Sequence, residues 1–74
     1  MTIPTLHRWS VAGSRSQRLF DAGELAGVDN ADIQRQAQAY TRIALIWDDY
    51  GDEMHGIAPN GRRWCSLHYE GVAA

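Results

Sequence analysis

The stretch Arg42-Ile43-Ala44-Leu45-Ile46-Trp47-Asp48-Asp49-Tyr50-Gly51-Asp52-Glu53-Met54-His55-Gly56-Ile57-Ala58-Pro59-Asn60-Gly61-Arg62-Arg63-Trp64-Cys65-Ser66-Leu67-His68-Tyr69 decides the fold. It reads as three strands joined by two chemically legible turns. Arg42 to Trp47 carries residues that favour strands and closes on a Gly-containing acidic turn. Met54 to Ala58 is the second run and Arg62 to Tyr69 the third. Asn60-Gly61 between two such runs predicts a type I′ hairpin turn, whose central residues both need φ > 0.

Upstream, residues 1–5 with Pro4 read as a loose arm. His7 to Val11 alternates as a first strand, with Trp9 and Val11 on one face. Residues 12–18 are small and polar and read as an exposed loop, after which Arg18-Leu19-Phe20 returns as a short second strand. Asp29-Asn30 opens a helix: an Asx side chain at the N-cap accepts from a free backbone N–H, and Asp32 suits the dipole of the first turn. Ile33, Ala37 and Tyr40 then share one helical face, and the helix is expected to end near Thr41. The same stripe runs on through Ala44 to Trp47, so residues 42–47 are either a strand or a helix extension; their β-preferences favour the strand. The expected fold class is α+β, one domain over residues 1–74, with one helix packed on a small antiparallel sheet that ends in a three-strand meander.

At 74 residues the chain is marginal without a well-packed core or a partner. Cys65 stands alone, which excludes an internal disulfide and fits a reducing compartment. The longest apolar run, Ile43 to Trp47, is too short to cross a bilayer, and no signal-like segment opens the chain. A cytoplasmic location is expected, with no membrane partner. All seven basic residues are Arg, which codon usage explains more simply than planar recognition does. Residues 1–20 hold Arg8, Arg15 and Arg18 and no acid. The net charge of −2 argues against strong non-specific nucleic-acid binding, which needs several phosphate-neutralising cations on one face, and makes direct nucleic-acid binding the less favoured reading.

The candidate chemistry is sparse. Asp48, Asp49, Asp52 and Glu53 put four carboxylates into six positions. They lack calcium-loop spacing, and an exposed turn offers none of the enclosure that raises a carboxyl pKa for catalysis. An ordinary charged hairpin tip accounts for them, or else a negative patch that steers a basic partner. Cys65 and His68 lie three apart, so on a strand they face opposite ways and cannot meet. Cys65, Leu67 and Tyr69 make a core face. Arg62, Trp64, Ser66 and His68 make the opposite face, where Trp64 beside Arg62 and His68 is either a binding anchor or packed on the N-terminal strand. His55 beside Asp52 and Glu53 reads more simply as a solvated residue than as a metal ligand, and His7 as incidental. No phosphate-binding glycine loop or nucleophile elbow is present, so no enzyme, cofactor or metal is expected.

Asp21-Ala22-Gly23-Glu24-Leu25-Ala26-Gly27-Val28-Asp29-Asn30-Ala31-Asp32-Ile33-Gln34-Arg35 resembles the helix-turn-helix of bacterial regulators. That resemblance implies a first helix at 21–26 and a DNA-reading helix from Asn30, with Gln34, Arg35, Gln38 and Arg42 facing DNA. Gly23 weakens the first helix, and Asp29 and Asp32 repel phosphate. The whole chain also resembles, in kind and without a shared motif, the small phage-encoded anti-defence proteins, among them the anti-CRISPR proteins. This likeness implies a non-enzymatic inhibitor that binds a larger host protein or nucleoprotein complex with a basic surface. The residues that would do so are Asp48, Asp49, Asp52, Glu53, Arg62, Trp64 and His68. A DNA-binding regulator using residues 21–42 is the alternative, and a homodimer through a sheet edge a third.

Overall fold

A computed structural model describes residues 3–73. The chain runs β1 (His7–Ala12), α1 (Gln17–Ala22), β2 (Glu24–Gly27), α2 (Asn30–Gln38), β3 (Ile46–Asp49), β4 (Glu53–Ile57) and β5 (Arg63–Val72). The strands pair antiparallel in the order β2-β1-β5-β4-β3. The fold is α+β: α2 and the short α1 pack on a five-strand antiparallel sheet whose last three strands form the expected meander. Of the expected loose arm, residues 1–2 lie outside the described residues, and residues 3–6 form no helix or strand.

The register explains the core. Trp9 sits opposite Leu25 on one side and Tyr69 on the other, Val11 opposite Leu67, Met54 opposite Leu67, and Gly56 opposite Cys65. Opposed residues share a face, so these side chains form one apolar surface. Ile33 and Ala37 of α2 and Leu19 of α1 complete the cluster, all fully buried. Gly56 marks the tightest point: a Cβ there would lie 2.9 Å from Cys65 Sγ and 3.1 Å from the Trp47 ring. The other face carries Arg8, Ser10, Glu24, Glu53, His55, Ser66 and His68.

Two expectations for the first half are corrected. Residues 18–20 are not a strand. Ser16 caps α1 by accepting from the Leu19 N–H at 3.3 Å, and Gly23 (φ 72) stops it, its N–H bonding Phe20 O at 3.1 Å. The helix buries Leu19 and turns Phe20 to solvent. The strand that returns along β1 is β2, so Glu24–Gly27 cannot be part of a first helix at 21–26, and the helix-turn-helix geometry is absent. The exposed loop narrows accordingly, because Ala12 ends β1 and Gln17 begins α1.

Asp29 is the N-cap of α2, accepting from the Asp32 N–H at 2.7 Å, as its sequence predicts. The helix ends at Gln38, short of Thr41. Gln38 then binds the following segment, donating to Ile43 O at 2.6 Å and accepting from the Leu45 N–H at 2.9 Å. Backbone groups engaged this way are not free for a strand ladder. The strand therefore begins at Ile46 and not at Arg42, where it pairs with Ile57, the last residue of β4.

The turn at Asn60-Gly61 also differs from expectation. Asn60 does not have positive φ; only Gly61 does, at 83°. Gly61 N–H bonds Ala58 O at 2.9 Å, making Pro59 and Asn60 the central pair, and Ala58 N–H bonds Arg62 O at 2.9 Å. Pro59 dictates this, since its fixed φ suits the first central position of an ordinary turn. Gly61 then takes the left-handed position that follows such a turn in a longer hairpin loop.

Candidate binding surface

The β3–β4 turn divides the acidic cluster into two pairs with different work. Asp49 is structural. Its carboxylate accepts from Asn30 Nδ2 at 3.0 Å, from Gln34 Nε2 at 3.4 Å and from the Gly51 N–H at 2.9 Å. It ties the turn to the start of α2, and Asn30 Nδ2 also reaches Gly51 O at 3.1 Å. Glu53 lies on the polar sheet face, with one oxygen 2.7 Å from His55 Nε2 and the other 3.1 Å from His68 Nδ1. Asp48 and Asp52 are exposed, and their carboxylates make no hydrogen bond or ion pair among the described residues. Between them Tyr50 is 63 % exposed, its ring edge-on to His55 at 5.5 Å. The turn is held by Tyr50 N–H to Glu53 O at 2.8 Å and by Gly51 at φ 91.

Trp64 is not the exposed anchor that strict alternation predicts. It is 6 % exposed and part of the core. The register between β4 and β5 slips after Gly56 pairs with Cys65, because Ile57 pairs with Arg63. Trp64 is the extra residue of a β-bulge, which breaks the alternation and lets neighbouring Trp64 and Cys65 both join the core. Its carbonyl accepts from the Arg15 N–H at 2.8 Å. Arg62 is exposed in the turn at the far end of β4, roughly 15 Å of strand from the acidic tip. His68 stays on the polar face, held by Glu53. Arg62 and Trp64 therefore do not form one surface with the acidic turn, whereas His68 meets it through Glu53 on the polar sheet face.

Cys65 is fully buried, and burial pushes its thiol up to about 11, against a smaller opposing effect of a hydrogen bond with the Gly56 backbone. A thiol so protonated is not a nucleophile at neutral pH. Cys65 and His68 lie on opposite sides of β5, as their spacing requires. Among the described residues no group of three or more His, Cys, Asp or Glu is arranged to hold a metal ion, and no helix is long and apolar enough to cross a membrane.

Sequence reasoning passed over Tyr50, whose position inside an acidic turn was the available signal. It also treated His7 as incidental, although His7 Nδ1 lies 2.8 Å from the Tyr69 hydroxyl. No protein-family model matches the chain, and neither the curated proteins nor the solved structures give a match.

Proposed function

We propose that this protein is a non-enzymatic binding module that docks its β3–β4 tip against a basic surface on a larger protein or nucleoprotein. The observation that carries this reading is the pairing of two uncommitted carboxylates, Asp48 and Asp52, with the exposed ring of Tyr50 on a turn braced from behind by Asp49. Rigid aromatics are favoured anchors at interfaces, and unpaired charges at the rim steer encounter. The module acts by occupation: it covers a cationic groove that its target uses for something else. The likeness in kind to small anti-defence proteins of phages and mobile elements makes an inhibitor of a host complex, in a bacterial cytoplasm, the specific form of this proposal.

The test is capture from bacterial lysate, with and without nuclease treatment, on immobilised protein. A protein partner retained in low salt and released in high salt is expected. Asp48→Arg and Tyr50→Ala should each reduce its retention by about tenfold, a loss of about 1.4 kcal/mol, while Asp21→Arg on α1 leaves it unchanged. Equal retention by all variants, or recovery of nucleic acid alone, contradicts the proposal.

A further inference from the structure

Beside the tip, the start of α2 and the β3–β4 turn frame a cleft of about 600 Å³ over the sheet. Its floor is aromatic: His7, Trp9 and Tyr69 line it. Trp9 and Tyr69 meet edge-to-face with centroids 5.4 Å apart, and the His7–Tyr69 contact fixes the third ring. Its walls are acidic, carrying Asp29 from the cap of α2 and Asp52 from the turn, and no arginine lines it.

The start of a helix ordinarily favours an anion. Here that role is already filled by the chain's own carboxylates. Asp29 Oδ1 takes the Asp32 N–H, and Asp32 Oδ2 takes the Val28 N–H at 3.1 Å. The second oxygen of Asp29 and both oxygens of Asp52 make no bond among the described residues. Uncommitted carboxylates beside aromatic rings suit a cation, which is drawn both by the charge and by the ring faces. A guanidinium suits them best, because its plane stacks on a ring while its fork reaches carboxylates. Trp9 is 1 % exposed and its indole Nε1 is enclosed, with no acceptor among the described residues. Tyr69, in edge contact with it, is 38 % exposed and is the ring of the two that an incoming cation can stack on.

We propose that the cleft receives an arginine side chain of the partner, held between Asp29 and Asp52 over Tyr69. The proposal rests on the binding-module reading and specifies the partner chemistry: an arginine that projects from the basic surface the tip approaches.

The probe is a blocked Gly-Arg-Gly tripeptide titrated into isotopically labelled protein, with the citrulline tripeptide as its neutral isostere. Saturable shifts are expected at the Trp9 indole N–H and at the amides of Asp29 and Asp52, with a Kd on the order of millimolar. The double variant Asp29→Asn/Asp52→Asn should bind about tenfold more weakly or worse. Asn caps a helix about as well as Asp, so this variant removes charge without removing the cap. The citrulline peptide should not bind. Equal binding of the two peptides, shifts centred elsewhere, or no saturation overturns the proposal. The tripeptide tests the cleft without any partner, and the capture experiment tests the tip with Asp48 and Tyr50, which do not line the cleft. Failure of one is therefore separable from failure of the other.

Discussion

Trp64 and Cys65 are adjacent, and both are buried. Alternation along a strand forbids this pair unless an extra residue intervenes, and the bulge supplies it. The reading of Cys65 as a core residue needed only its period-2 spacing with Leu67 and Tyr69; Cys65 and Leu67 are buried, and Tyr69 is 38 % exposed. The reading of Trp64 needed the register, which is a property of two strands and is not written in either. Cys65 carries the first consequence at this scale. Its thiol ionises at about 11 when folded against an ordinary value of 9.0. Folding thus favours the protonated form, and this contribution is complete below pH 9.0 and is lost as pH rises through about 11. Urea midpoints taken across that window should fall further for the native chain than for Cys65→Ala, which lacks the titrating group. Parallel curves would show that the thiol is not buried as described.

At the scale of elements, the meander and α2 were legible because each has strong local chemistry. Asp29 caps, Ile33 and Ala37 repeat at helical spacing, and Gly51 and Gly61 mark turns. The segment from Ser16 to Gly27 was not legible. Its strand, Glu24-Leu25-Ala26-Gly27, has only one large apolar residue, and a Cβ at its Gly27 would stand 2.6 Å from Asp32 Oδ2 and 3.0 Å from Ile33 Cδ1. Small residues with weak strand preference form this strand because β1 offers a free edge and α2 covers it. The brace between α2 and the turn was equally hidden, since Asn30 and Asp49 are 19 residues apart. Asp49→Ala should cost about 1 kcal/mol, because the exposed Asn30, Gln34 and Gly51 donors it releases turn to water. The amide of Gly51 should also exchange faster with solvent. An unchanged exchange rate at Gly51 would mean that the turn holds itself.

At the scale of the whole molecule, the work is divided by face and end. One sheet face and both helices bury the core, the other sheet face is polar and internally paired through Glu53, and Asp29, Asp48 and Asp52 bring uncommitted carboxylate oxygens to the β3–β4 end. Composition showed an acidic cluster but not which of its members were free. That distinction depends on the contacts of Asn30, Gln34, His55 and His68, three of which come from other elements. The proposed function places a basic partner at this end of the molecule. It is tested most directly by titrating an arginine-rich peptide into the labelled protein and mapping the amide shifts. Shifts are expected at residues 48–53, the start of α2 and the cleft floor of His7, Trp9 and Tyr69, fading as salt is raised. Shifts spread over Asp21, Glu24 and Glu70 to the same degree, or a footprint on the polar sheet face away from the tip, around Arg8 and Ser10, would contradict it.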